Sequence, residues 1–481
     1  MDESKECGMS SGDENGCGKD TGDESRAFGF LALVTLLPSI DSVKVDSQES
    51  LASPYLRNPD ELAQLIDTPD EWKTKDFHSS LNEFNCEILP PSDTIPTSVH
   101  KLRPADINVV AALGDSITAG FGAKSENIST ISTQYRGISW SIGGDDSLED
   151  GVLTLPNVLR KYNADLKGWS VETGGSRDYN ISRLNVAIPG SRSTNMRRQA
   201  EDLVERLLFA DSVDYINDWK VVTIFIGGND LCASCNFPER HSAQQYTENV
   251  KEALDYMHQT MPRTFVNLAQ TVVVTETNKF NTSYCNQFSL CTCAKQWHND
   301  DWEDVLQLTW DYHTGLKTLI STGQYDTRED FTVVIQPFFE ETYVPPDGEG
   351  GWDHRMFAPD CFHFNEYGHQ ACAMSLWNNM IEPVGAKRTA WRPGDILECP
   401  SEDFEYFYTY LNFRVSTTTA NPLSDVSTSY PVDDEPTTTC EDYTGAFITA
   451  IVILSILLLV CFLGIIWLVY KMNSNGKAYL N

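Results

Sequence analysis

Residues 107–118 read INVVAALGDSIT: six positions that are apolar or small around one Asn, then Gly114-Asp115-Ser116. A short apolar run without alternation, closed by a glycine, describes a strand buried on both faces and stopped by a sharp turn. Working outward, further apolar runs fall at Leu184–Ile188, Val221–Ile226, Phe265–Val274 and Phe331–Gln336. Helical patterns lie between them at Ser193–Phe209, Ser242–Gln259 and Trp302–Ile320, and Glu366–Met380 closes the series. Alternation of this kind predicts an α/β fold with a parallel sheet covered on both faces.

Open sheets of that class take ligands at the carboxyl ends of their strands. The polar outliers of this sequence fall there: Gly114-Asp115-Ser116, then Pro189-Gly190-Ser191, then Gly228-Asn229-Asp230, and finally Asp360-Cys361-Phe362-His363. Acyl transfer by a serine needs a nucleophilic hydroxyl, a histidine to take its proton, a carboxylate to orient that histidine, and donors for the oxyanion. Ser116, His363 and Asp360 are the candidate catalytic residues. The Ser116 and Gly190 N–H groups and the Asn229 amide are the candidate oxyanion donors. Each piece alone has a plainer role, as a turn, a loop glycine, a helix cap or an ordinary histidine. Their joint placement on successive strand ends is what points to chemistry. The nucleophile does not sit in a G-x-S-x-G elbow, which argues against the α/β-hydrolase family. No metal site or cofactor is expected. Asp360, His363 and His369 lack a second helical pair of ligands, and the acidic loop around Asp347, Glu349 and Asp353 reads as solvated.

The blocks VVAALGDSITAGFGA (109–123), YRGISWSIGGD (135–145), TLPNVLRKYN (154–163), NVAIPGSRSTNM (185–196), FIGGNDLC (225–232) and APDCFHFNEYGH (358–369) resemble the GDSL (SGNH) lipase/esterase superfamily. Within it they look like the membrane-associated phospholipase B branch. That resemblance implies a flavodoxin-like three-layer α/β/α domain and metal-independent hydrolysis of acyl esters in phospholipid and lysophospholipid substrates. It matches the family's four name-giving residues to Ser116, Gly190, Asn229 and His363, with Asp360 completing its D-x-x-H. Two other readings use the same scaffold: a carboxylesterase or acyltransferase on non-phospholipid esters, and a catalytically silent cell-surface recognition protein.

Beyond the hydrolase domain, taken as 101–385, composition divides the chain. Residues 1–26 read as an acidic disordered tail, 27–42 as a signal-peptide-like apolar segment, 43–100 as a lead-in and 386–414 as a C-terminal extension. Residues 415–445 form a Ser/Thr/Pro-rich stalk. Residues 446–470 carry no charge, and at ~1.5 Å per residue they reach ~37 Å, enough for a single transmembrane helix. Lys471 and Lys477 follow that segment, which places the tail 471–481 in the cytoplasm and the hydrolase domain outside the cell. Three sequons, at Asn127, Asn180 and Asn281, are candidate glycosylation sites on that route. Of 13 cysteines, ten remain after Cys7, Cys17 and Cys461 are set aside, an even number that suits disulfides in an oxidising compartment. The net charge of −34 excludes nucleic acid as a partner by repulsion from phosphate. Nothing in the sequence reads out an oligomeric state.

Overall fold

Four parallel strands, β1 (Ile107–Gly114), β2 (Trp219–Phe225), β3 (Thr264–Ala269) and β4 (Phe331–Gln336), lie side by side in that order. The computed structural model describes residues 84–413, apart from 289, 297–301, 343, 345, 348–349, 392–394 and 402. The acidic tail, the apolar segment 27–42, the stalk, the span 446–470 and the tail 471–481 lie outside the described residues. Among the described residues no helix is long and apolar enough to cross a membrane. Register runs straight across the sheet, with Val110 beside Val221, Val221 beside Phe265, and Val266 beside Val333. Every residue of β2, β3 and β4 is buried, so both faces of the sheet are covered.

Two of the expected strands change. Leu184–Ile188 runs beside β1 and exchanges three backbone bonds with it, yet it forms only an isolated bridge at Asn185. The next ladder bond is intercepted: Gln199 accepts from the Gly114 N–H at 2.8 Å and donates to the Gly114 carbonyl at 2.9 Å. A side chain has taken the place of a strand partner. This irregular edge puts the chain on one side of β1 before 190 and on the other side from β2 onward. The winding therefore reverses across β1, the position at which open α/β sheets form their ligand crevice. The run Phe265–Val274 is a strand only to Ala269, and the chain then leaves the sheet for a 3₁₀ turn over Val274–Phe280.

The helices are α1 (Leu155–Tyr162), α2 (Tyr179–Ser182), α3 (Met196–Phe209), α4 (Gly228–Ala233), α5 (Ala243–Thr260), α6 (Trp302–Ser321) and α7 (Glu366–Met380). Helices α3, α5 and α6 pack as one row, and α1 packs against α7. Helix α3 buries Met196, Gln199, Ala200, Leu203, Val204 and Leu207, the single stripe expected of a helix lying on a sheet. Helix α7 is buried almost all round, because the segment after it folds back over it. The Trp377 indole donates to the Glu398 carbonyl at 2.8 Å, and Phe407 lies fully buried against Phe265. The segment before β1 is tied into the same unit by Cys86–Cys399 and by Trp219 donating to the Pro96 carbonyl.

Eight of the ten cysteines form Cys86–Cys399, Cys232–Cys291, Cys235–Cys293 and Cys285–Cys361. Cys372 remains a buried thiol within α7, and Cys440 lies outside the described residues.

Candidate active site

At the end of β1 the backbone must turn within a space that admits no side chain. A Cβ on Gly114 would stand 2.4 Å from Thr118 Oγ1 and 2.7 Å from the Phe225 carbonyl oxygen. The turn that follows is braced by Asp115, whose Oδ1 accepts from the Ile117 N–H at 3.0 Å. Ser116 is thereby presented to the far end of the fold, where its Oγ stands 2.8 Å from His363 Nε2. His363 Nδ1 stands 2.5 Å from Asp360 Oδ2, so it is the donor and Nε2 is left as the acceptor for the Ser116 hydroxyl. Phe121 and Phe362 pack on the imidazole at centroid distances of 4.7 and 5.2 Å and restrict its rotation.

Asp360 is buried, which would raise its carboxyl pKa. The His363 charge and ring, together with the His363 and Phe362 N–H groups at 3.0 and 3.1 Å, outweigh burial and hold it below the ordinary carboxylate range. The turn that carries it is held from three sides. Ala358 and His363 close a backbone bond of 2.7 Å, the Tyr284 hydroxyl donates to the Pro359 carbonyl at 2.6 Å, and Cys361 is tied to Cys285. Cys361 itself sits at φ 61°, an uncommon backbone state for a non-glycine residue, maintained by these surrounding bonds.

Of the expected oxyanion donors, Asn229 lies beside both the Ser116 turn, through Asp115, and the Gly190 turn, through Ser191. Gly190 takes φ 79° and its surroundings are open. Among the described residues neither the Ser116 N–H nor the Gly190 N–H has a protein acceptor. The Asn229 amide donates to the Ser191 carbonyl at 3.0 Å and lies 3.4 Å from Asp115 Oδ2, so it reaches the Gly190 turn while partly engaged there. Burial pushes the Asp115 carboxyl up to about 7, although the Ile117 N–H pulls it down.

Several positioning residues carry no motif of their own in the sequence. Arg136, fully buried, donates to the Gly174, Asn185 and Ala187 carbonyls and so holds the irregular edge that leads into Gly190. Beneath the Gly190 turn, Asp230 accepts from the Ser193 N–H at 2.8 Å and the Ser193 hydroxyl at 2.7 Å, and His241 Nδ1 lies 3.3 Å away. Lys295 is buried near Asp360 and donates to Thr277 at 2.9 and 2.7 Å; burial lowers its pKa to about 7, against the pull of Asp360. Arg136 and Asp230 sit inside the quoted blocks, so proximity to those blocks was the available signal; Lys295 had none.

Asn127, Asn180 and Asn281 are all exposed. His369 lies close behind the site as a buried neutral ring accepting from the Trp140 N–H at 3.3 Å. Among the described residues no group of three or more His, Cys, Asp or Glu is placed to hold a metal ion.

A serine hydroxyl bonded to a histidine that is oriented by a buried carboxylate is able to attack an acyl carbonyl. The chain is 40% identical to the membrane-associated phospholipase B1 of Rattus norvegicus over 418 residues, which cover 82% of this chain and 28% of that protein. It is 41% identical to the membrane-associated phospholipase B1 of Homo sapiens over 341 residues, covering 69% and 23%. The chain thus spans about a quarter of the length of these relatives. Among solved structures, an extracellular lipase from Streptomyces rimosus aligns with a TM-score of 0.29 at 14% identity, over 55% of this chain and 94% of that one. The model of the family GDSL-like lipase/acylhydrolase matches residues 110–376, the stretch that holds the end of β1 with Ser116, the Gly190 turn, Asn229 and the Asp360–His363 turn. This chain belongs to the GDSL-like lipase/acylhydrolase family.

Proposed function

We propose that the chain hydrolyses the acyl esters of glycerophospholipids and lysophospholipids by a two-step acyl transfer. Ser116, deprotonated by His363, attacks the carbonyl, and the oxyanion is received by the Ser116 and Gly190 N–H groups and by Asn229. His363 then protonates the departing glycerol oxygen, and water repeats the sequence to release fatty acid. Asp360 keeps the imidazole in the tautomer this requires. Each oxyanion donor is expected to contribute ~3–4 kcal/mol to the transition state. The observation that carries the reading is the unbroken line from Ser116 Oγ through His363 to Asp360 at 2.8 and 2.5 Å. Similarity to phospholipase B1 supports the lipid substrate. In the same reading the domain has flavodoxin-like three-layer architecture and is held at the cell surface by a single helix over 446–470, with the hydrolase outside. Asn127, Asn180 and Asn281 carry glycans.

The test is fatty-acid release by the full chain in detergent micelles, from phosphatidylcholine labelled differently at its two acyl positions, with Ser116→Ala as control. Release from both positions, abolished by the substitution, is the expected result. Cleavage of a short-chain ester without release of either label would make the protein a carboxylesterase. No cleavage of either substrate by folded protein would favour the silent recognition reading.

A further inference from the structure

The Gly190 turn has a second face. Two residues beyond the glycine, Arg192 forms one wall of a cleft of about 340 Å³, whose other walls are Thr194, Phe237, Glu239, Arg240, His241 and Gln245. In a chain of net charge −34, this lining carries two guanidinium groups against one carboxylate. Neither Arg192 nor Arg240 has an ion-pair partner among the described residues, and Arg192 Nε is buried without a hydrogen-bond acceptor. Arg197, Arg206, Arg328 and Arg388 hold carboxylates, and Arg136, Arg160, Arg183 and Arg263, which like the cleft pair have no ion-pair partner among the described residues, donate to backbone carbonyls instead. Arg240 lies 5.5 Å from the ring centre of the half-exposed Phe237.

The cleft is joined to the acyl site through hydrogen bonds. His241 on its wall shares Asp230 with Ser193, and Asn229, the neighbour of Asp230, donates to the Ser191 carbonyl. Two residues span at most about 7 Å, which bounds the backbone distance from Gly190 to Arg192. In a glycerophospholipid the path from acyl carbon through ester oxygen, glycerol carbons and phosphate oxygen to phosphorus covers a comparable length. A carbonyl held at the Gly190 N–H therefore brings the phosphate within reach of this wall.

We infer that the Arg192–Arg240 cleft is the headgroup subsite, taking the substrate's phosphodiester on the two guanidiniums. Glu239 then faces the cationic amine of a zwitterionic headgroup. Planar guanidiniums suit a phosphodiester because they offer paired donors to its two free oxygens. The inference rests on the phospholipid reading above and adds to it the residues that select the headgroup.

The experiment compares two substrates with the same acyl chain, lysophosphatidylcholine and monoacylglycerol, using the full chain in neutral detergent micelles. The readout is the ratio of their kcat/KM values in wild type, Arg192→Gln and Arg240→Gln. Each substitution is expected to lower that ratio about tenfold, the loss of one charge-assisted hydrogen bond to phosphate. Arg240→Gln is at an exposed position, so it keeps the test decisive if Arg192→Gln perturbs the turn. Glycerophosphocholine is expected to inhibit monoacylglycerol cleavage in wild type and to do so more weakly in both variants. An unchanged ratio in both variants overturns the subsite. Loss of inhibition by inorganic phosphate with the ratio intact makes the cleft a site for free phosphate, and overturns it equally. If wild type cleaves monoacylglycerol and not lysophosphatidylcholine, the phospholipid reading itself fails, an outcome separate from failure of the cleft.

Discussion

Replacing Asp360 with asparagine changes one oxygen to an amide and tests the whole line of hydrogen bonds. Asp360 Oδ1 accepts from the Phe362 and His363 N–H groups at 3.1 and 3.0 Å, while Oδ2 faces His363 Nδ1 at 2.5 Å. The two backbone donors need an acceptor, so the carbonyl oxygen of the introduced amide takes the Oδ1 place and its NH₂ turns to the ring. His363 Nδ1 must then accept, and the ring proton moves to Nε2, 2.8 Å from Ser116 Oγ. A protonated Nε2 cannot take the serine proton. The expected loss is ~10⁴-fold in kcat, about 5 kcal/mol of transition-state stabilisation, with KM changed less than about threefold. Labelling of Ser116 by a fluorophosphonate should slow in parallel, since it needs the same proton transfer. The fold should persist, because the backbone donors of the turn keep their acceptor. Asp360→Ala leaves those donors and the Nδ1–H unpaired, and each costs ~1–3 kcal/mol, so its melting temperature should fall well below that of Asp360→Asn. The assay is hydrolysis of a short-chain nitrophenyl ester, with thermal unfolding of the same preparations. If Asp360→Asn keeps more than about a tenth of wild-type kcat, the tautomer argument is wrong.

Removing the Cys285–Cys361 bridge by paired serine substitution frees a loop of sequence separation 76, for an expected loss of ~4 kcal/mol of stability; kcat should fall as well, because the bridge holds the turn carrying Asp360, and an unchanged melting temperature would contradict this. Gly114→Ala drives a Cβ to within 2.7 Å of the Phe225 carbonyl and should cost ~1–3 kcal/mol in urea unfolding while displacing the Ser116 turn. Burial holds the His369 pKa at about 3 and the His313 pKa at about 4, both below the unfolded value, so the folded state binds fewer protons and stability falls as pH drops below ~6.5. Asp115, raised to about 7, acts in the opposite direction over that window, but two histidines outweigh one carboxyl. Melting temperature should therefore drop from pH 7 to pH 5, and His369→Gln should reduce the slope; a flat profile in wild type would refute the assignment.

How much could be read from the sequence varied from element to element. β1, β2 and β4 were visible as short, mostly apolar runs because strands buried on both faces need no polar alternation. Leu184–Ile188 has a similar composition and sits beside β1, yet it is not a full strand, since Gln199 from α3 takes the Gly114 N–H and shares its carbonyl with Ile188. Local propensity holds no information about a competitor farther along the chain. Helix α7 carries little one-sided pattern because the 386–413 segment covers its outer face, a contact outside any local window.

The sequence by itself determined which polar residues end the apolar runs, because a strand end and its turn are local, and it determined family membership because those turns fall inside recurring blocks. Only the tertiary structure decided which cysteines pair, since their even number is compatible with many connectivities. It alone placed buried Arg136 and Lys295 near the site, because a cation is tolerated there only when distant carbonyls converge on it. It also made the Arg192–Arg240 cleft, whose walls come from two separate chain segments brought face to face by Asp230 holding Ser193 on one side and His241 on the other.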